Sequence, residues 1–201
     1  MFEYDLLIIS SYALLGAGIK YIDQAYDLKT FSKKKANIAA ILCGLMMSYL
    51  VITDPPSTAI FLAMITALLL TKKIDNAAFY LGMAIVIALF LLYANLAEMN
   101  VLPFAVLTLS GIIDEAGNDW TDKRINRRDF GIYANNDPLH YMFIELFFEY
   151  RLAMKCAVLA LAAAAVIPWA YFFAFMAFDL SYLSIDLYSA SIKAYRISRA
   201  L

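Results

Sequence analysis

Residues 156–178 read CAVLALAAAAVIPWAYFFAFMAF, and these 23 residues contain no charged side chain. A helix that crosses the hydrocarbon core of a bilayer needs about 20 apolar residues. The stretch therefore predicts a membrane-spanning helix. Pro168 lies inside it, and because proline has no backbone N–H group it predicts a kink at that position.

Further apolar runs lie on either side of this stretch. They are residues 6–22, 36–52, 57–71, 77–97, 100–113 and 180–197. The chain is 64% hydrophobic, whereas a soluble domain has roughly 45–50%. This composition excludes an ordinary soluble domain, and the many aromatic residues exclude a disordered chain. The sequence predicts an all-α polytopic membrane helix bundle with about seven transmembrane helices, and residues 1–201 form a single integral membrane domain.

Basic residues are segregated among the connections between these runs. All 16 Lys and Arg residues fall in residues 20–35, 72–76, 114–155 and 193–199. The alternate connections, residues 53–56, 95–100 and 179–184, contain none. Because cytoplasmic loops of membrane proteins are enriched in Lys and Arg, we expect an integral membrane protein with its N-terminus outside and its basic loops in the cytoplasm. The net charge of −1 gives no indication of a nucleic-acid partner.

The longest predicted cytoplasmic connection is residues 114–155. Its second part, residues 139–155, mixes aromatic residues with Glu145, Glu149 and Arg151. This mixture predicts either an interfacial helix or the cytoplasmic start of the next helix, and we favour the interfacial form.

The dipeptide Ile-Asp recurs near the ends of apolar runs. It is found at residues 22–23, 74–75, 113–114 and 185–186. Repeats in membrane proteins often place a binding site at their interface. The recurrence is consistent with an internal repeat, and a set of chance matches is the alternative.

Acidic residues on the predicted cytoplasmic side come in spaced groups. Asp23 and Asp27 are four residues apart, and residues four apart share one face of a helix. The same spacing relates Asp114, Asn118 and Asp122, and a second pair is formed by Glu115 and Asp119. Mg²⁺ is typically held by one or two carboxylates together with substrate phosphates. The groups therefore predict a magnesium site for a diphosphate, and solvated loop charges are the alternative interpretation.

At these two Asp groups the sequence resembles the UbiA-type prenyltransferases. That family carries the motifs Asn-x-x-x-Asp-x-x-x-Asp and Asp-x-x-x-Asp-x-x-x-Asp on cytoplasmic helix ends. Asp23 and Asp27 match the last two positions of the first motif, where Ile19 stands in place of Asn. Asp114 and Asp122 match the outer positions of the second, with Asn118 between them. The resemblance implies binding of Mg²⁺ and a prenyl diphosphate, and a family fold of about nine spanning helices.

We expect a Mg²⁺-dependent transferase that acts on a prenyl or lipid diphosphate at the cytoplasmic face. The metal ligands would be Asp23, Asp27, Asp114 and Asp122, and the supporting residues would be Asn118 and Asp119. Charge on the leaving diphosphate would be stabilised by Lys33, Arg124 and Arg128. Two alternatives stay open. One is a small cation transporter or channel that uses acids such as Asp75 or Asp186. The other is a non-catalytic membrane subunit that binds anionic lipid or a partner protein. For the oligomeric state, a homo-oligomer and a subunit of a larger complex both fit the sequence.

Overall fold

The computed structural model describes residues 2–74, 76–93, 99–129 and 139–200, with side chains for residues 3–74, 76–93, 99–124, 141–196 and 198. These residues form eight α-helices, and no strand is found among them. The helices are α1 (Phe2–Tyr26), α2 (Lys33–Thr53), α3 (Pro55–Leu70), α4 (Ala77–Tyr93), α5 (Val101–Asp129), α6 (Leu139–Glu149), α7 (Leu152–Ala163) and α8 (Trp169–Ala200). The all-α class is confirmed.

Three of the helices are long and apolar enough to cross a membrane. They comprise Glu3–Tyr26 of α1, Lys33–Thr53 of α2 and Trp169–Arg196 of α8. Pro55–Leu70, Ala77–Tyr93 and Leu152–Ala163 are shorter apolar helices. The structure therefore supports a membrane-associated helix bundle, and the predicted number of about seven spans is not confirmed.

The prediction that residues 156–178 form one kinked helix is wrong. Helix α7 ends at Ala163, and Ala165 adopts a left-handed backbone conformation with φ of 55°. The N–H of Val166 then donates to the carbonyl of Leu161 at 2.9 Å, which closes the helix end. An ion pair of 2.8 Å between Lys155 and Asp179 shows that α7 and α8 lie antiparallel. Pro168 follows the turn, so the chain reverses direction here instead of bending.

The predicted connection at residues 179–184 is instead part of a continuous helix. Helix α8 runs for 32 residues through this segment. Ser181 donates a hydrogen bond to the carbonyl of Phe178 at 2.8 Å, and Ser184 donates one to the carbonyl of Leu180 at 2.7 Å. Both hydroxyls reach carbonyls of their own helix, and Ser181 shares its one proton with the carbonyl of Ala13 on α1. The polar residues therefore do not end the helix. The chain therefore reverses direction at residues 164–168, and not at the predicted residues 179–184.

Two pairs of helices that are distant in the chain, α1 with α8 and α3 with α5, pack side by side in parallel. In the pair α1 and α8, Ala13 lies beside Ser181, and Gln24 lies beside Asp186. In the pair α3 and α5, Ala67 lies beside Gly111 and Lys73 beside Asp119. These directions place Lys20 of α1, Lys73 beyond α3 and Arg124 of α5 toward one end of the bundle, which we call the basic end.

The segment 139–155 is two helices that meet at Arg151, whose φ is 48°. Helix α6 packs along the C-terminal half of α5, where Arg124 pairs with Glu145 at 2.9 Å. Further along the same contact, the Phe148 ring covers Gly117 so closely that a Cβ atom there would lie 2.0 Å from it. Helices α5 and α6 therefore form an antiparallel hairpin at the basic end.

Candidate functional site

A cavity of about 230 Å³ lies inside the bundle, between α1, α2, α3, α4 and α8. Most of its lining is apolar, with side chains such as Ile19, Met47, Leu68 and Val86. The charged and phenolic lining residues are Asp23, Lys73, Arg151 and Tyr182. Since Asp23 is near the end of α1, and Lys73 lies three residues beyond the end of α3, the charges gather where the cavity approaches the basic end. We call this part the mouth.

Two cations at the mouth are held in place by carboxylates of α5. Lys73 pairs with Asp119, and Arg151 pairs with Glu115 at 3.2 Å. Glu115 and Asp119 are four residues apart, so they lie on one face of α5 about one turn from each other. Arg carries five N–H donors and Lys three. Each cation therefore keeps donors for a ligand while its carboxylate fixes its position.

Asp23 belongs to a polar seam between α1 and α8. The Lys20 ammonium lies 2.9 Å from an oxygen of Asp23 and 3.0 Å from an oxygen of Asp186. Gln24 donates to Asp186 at 2.7 Å and accepts from Ser189 at 2.8 Å. Buried polar groups are costly unless paired. Lys20 and Gln24 each reach Asp186 across the two helices, whereas Asp23 pairs with Lys20 within α1.

Asp114, predicted as a metal ligand, caps the start of α7. Its two oxygens accept the N–H groups of Ala153 at 2.9 Å and Met154 at 2.7 Å. Burial raises the pKa of the Asp114 carboxyl, and these two N–H donors act in the opposite direction. The residue as a whole is only 2% exposed. Its contacts are those of a helix cap, which satisfies N–H groups that have no partner within their own helix.

The other predicted metal and cofactor residues do not form one cluster. Asn118 donates to Asp122 at 3.3 Å at the outside of α5, where Asp122 is exposed. Asp119 is engaged with Lys73, and Asp27 is exposed just after α1. Within the described part of the chain, no group of three or more His, Cys, Asp or Glu residues could hold a metal ion. These contacts do not fit a multi-carboxylate magnesium site, and Mg²⁺ stays a prediction.

The predicted basic residues have separate surroundings. The Lys33 ammonium lies over the Tyr26 ring at 4.9 Å from its centroid. Arg124 pairs with Glu145, and its guanidinium lies 4.1 Å from the centroid of the Tyr141 ring. The Arg128 side chain and Asp75 lie outside the described residues. None of the described contacts brings Lys33 or Arg124 to the cavity lining.

Sequence reasoning missed Lys73, Arg151 and Tyr182 as site residues. The available signal was position: Lys73 closely follows an apolar run, and Arg151 precedes another, so each places a charge at the edge of the hydrocarbon region. The spacing within one helix could not show that they share a cavity. It is the pairing of α3 and α7 with α5 that brings the two cations together.

Comparisons with models of protein families, with curated proteins and with solved structures find no match to this chain. The resemblance to the UbiA-type prenyltransferases is carried by Asp23, Asp27, Asp114 and Asp122 alone. The structure gives three of these residues different partners: Lys20 for Asp23, the start of α7 for Asp114, and Asn118 for Asp122.

Proposed function

We propose that this chain binds a prenyl or other lipid diphosphate, with the hydrocarbon chain in the cavity and the diphosphate at the mouth. The observation that carries the proposal is the division of one cavity into an apolar body and a mouth where the cations Lys73 and Arg151 lie near Asp23. A ligand that matches both parts has an apolar chain and an anionic head. The activity predicted from the sequence, a Mg²⁺-dependent transfer of the lipid, would act on this bound ligand.

The headgroup supplies most of the binding free energy in this proposal. Lipid tails are as apolar as the cavity lining, so a tail that leaves the bilayer for the cavity gains little from the hydrophobic effect. A hydrogen bond to a charged group contributes roughly 1.5–3 kcal/mol. The cations therefore give affinity, whereas the cavity selects the tail by its shape.

The orientation of the chain is part of the same proposal. The basic end faces the cytoplasm and the N-terminus lies outside, as the distribution of Lys and Arg predicts. The mouth then meets the cytoplasmic headgroup layer, which is where a lipid diphosphate made in the cytoplasm would be presented.

Thermal unfolding of the detergent-purified chain tests the proposal. A prenyl diphosphate whose chain fits the cavity should raise the unfolding temperature, because a ligand that binds only the folded state stabilises it by about 2.7 kcal/mol at a hundredfold excess over its Kd. Lys73→Gln should weaken binding roughly tenfold or more. The matched control is Lys72→Gln, since Lys72 is the exposed neighbour outside the cavity lining and should leave binding unchanged.

The same experiment separates binding from transfer. A stabilisation that requires Mg²⁺ supports the transferase, whereas one that is independent of Mg²⁺ supports lipid binding alone and favours the non-catalytic subunit. If several prenyl and lipid diphosphates leave the unfolding temperature unchanged with and without Mg²⁺, the proposal is wrong.

The cation transporter is the second candidate, and the polar seam favours it. Lys20 lies between Asp23 and Asp186 within two helices of spanning length, and ionisable residues in such positions are often functional. Cation flux into liposomes that is lost in Asp186→Asn would support the transporter. Cation flux equal to that of empty liposomes would exclude the transporter.

A further inference from the structure

One end of the cavity lies away from the mouth, and we call it the closed end because the residues that line it are fully buried. Phe61 of α3 and Val86 of α4 line this end, and both are buried. From Phe61 to Leu70, the last residue of α3, the helix rises about 14 Å at 1.5 Å per residue. A hydrocarbon chain whose headgroup stays at the mouth therefore has a limited length available to it.

The Phe61 side chain at the closed end is held in place by its neighbours. Its ring lies 4.6 Å from the ring of Tyr12, centroid to centroid, with an angle of 41° between the planes. The Tyr12 hydroxyl donates to Ser57 at 2.9 Å, and both Phe61 and Tyr12 are fully buried. The Phe61 ring thus cannot move back without displacing a hydrogen-bonded residue of α1.

A second set of contacts, centred on the buried Asp54, lies behind this layer. Asp54, which caps α3, accepts hydrogen bonds from Tyr4 at 2.8 Å and from Tyr171 at 2.5 Å. These contacts join α1, α3 and α8 at the end of the bundle opposite the basic end. The closed end of the cavity is therefore backed by fixed structure on three helices.

We propose that Phe61 is a specificity-determining residue that sets the maximum length of the bound hydrocarbon chain. The inference rests on the proposed function. A chain longer than the cavity must either press against the Phe61 ring or pull its diphosphate away from Lys73. Packed interiors tolerate extra methylenes poorly, so affinity should fall sharply beyond one chain length.

Two substitutions change the cavity length in opposite directions. Phe61→Ala should extend the cavity and shift the preferred prenyl diphosphate to a longer chain, while Val86→Phe should fill the closed end and shift the preference to a shorter one. Since one methylene in an apolar pocket changes specificity by roughly tenfold or more, the ratio of Kd values for long and short chains should change at least about tenfold in each variant. The measurement is the Kd of each member of a prenyl diphosphate series.

Leu107→Ala is the matched control, because Leu107 is fully buried on α5 and does not line the cavity. It should lower stability and leave the chain-length preference unchanged. Inorganic diphosphate should bind the wild type and all three variants alike. If the wild type binds the series and neither Phe61→Ala nor Val86→Phe moves the preference, this inference is wrong while the proposed function stands; if the wild type binds no member, the proposed function has failed.

Discussion

Helices α1 and α8 and helices α2 and α4 are both parallel pairs, and they are joined in different ways. Between α1 and α8, Ser181 donates to the carbonyl of Ala13 at 2.6 Å, and Gln24 bonds to both Asp186 and Ser189. Between α2 and α4 the close contact is made by Gly44 and Gly82, where a Cβ atom on Gly44 would lie 2.9 Å from the carbonyl oxygen of Gly82.

This difference indicates that α1 and α8 are firmly held together, whereas α4, which forms one wall of the cavity, is held weakly. Apolar helices in a bilayer gain no hydrophobic free energy by associating, so close packing and polar contacts hold them together. The pair α1 and α8 has both kinds of contact. Helix α4 packs mainly on α2 through small residues, and only Ala78 and Val86 of its 17 residues are buried. We therefore expect α4 to be the less stable element.

The largest expected effect comes from adding one methyl group to the fixed pair. In Gly16→Ala, the new Cβ atom would lie 2.1 Å from the carbonyl oxygen of Phe178 and 2.6 Å from the Ser181 hydroxyl. The backbone of α8 must move, and the Ser181 hydrogen bond to Ala13 is disturbed. We expect a loss of about 3 kcal/mol in the free energy of unfolding, measured by chemical denaturation in detergent.

Gly82→Ala is the matched substitution in the other pair. Its Cβ atom would lie 3.2 Å from the carbonyl oxygen of Ala40, a contact that a shift of a few tenths of an ångström relieves. Alanine is also favoured over glycine within a helix by about 1 kcal/mol. The two effects roughly cancel, so the free energy of unfolding should change by less than about 1 kcal/mol. Equal losses in the two variants would contradict the comparison.

The sequence predicted the helical class because composition and run length determine it. The charge pattern along the chain also predicted that the basic connections face the cytoplasm, and this orientation stays a prediction. The sequence could not place the reversal between α7 and α8. Pro168 and the polar residues 179–184 both suggested an interruption, and only the backbone at Ala165 decides between them.

The site was less predictable than the fold, for a physical reason. The spacing of Asp114, Asn118 and Asp122 describes one face of one helix and says nothing about the helix packed against it. In the structure the start of α7 brings two N–H groups to Asp114. Likewise Glu115 and Asp119 acquire their role only because Arg151 and Lys73 arrive from other helices.

A smaller effect is expected when the polar seam is weakened. Gln24→Leu removes the hydrogen bonds to Asp186 and Ser189, and interhelical hydrogen bonds in membranes contribute about 0.6 kcal/mol on average and 1.7 at most. We expect a loss of about 1–2 kcal/mol by the same denaturation measurement. Ser189→Ala removes one of the two bonds and should lose less.

Ser191→Ala is the control for this series. The Ser191 hydroxyl is exposed and bonds only to the carbonyl of Tyr188 in its own helix. Its removal should leave stability unchanged within about 0.5 kcal/mol. If Gln24→Leu is as stable as Ser191→Ala, the polar seam does not stabilise the packing of α1 against α8. Close packing at Gly16 then holds these two helices together by itself.

The smallest expected difference concerns local opening without any substitution. Amide hydrogen exchange in detergent micelles should be faster in α4 than in α3, because elements with few buried contacts open locally at a lower free energy than the rest of the structure. Helix α3 is the internal control, since it has 16 residues against 17 in α4 and is similarly apolar. It differs in its contacts: Asp54 caps its start, and Lys73 beyond its end pairs with Asp119 on α5. If the amides of α3 and α4 exchange at the same rate, helix length and not polar anchoring sets the local stability of these two helices. Helix α4 would then be held in the cavity wall as firmly as α3.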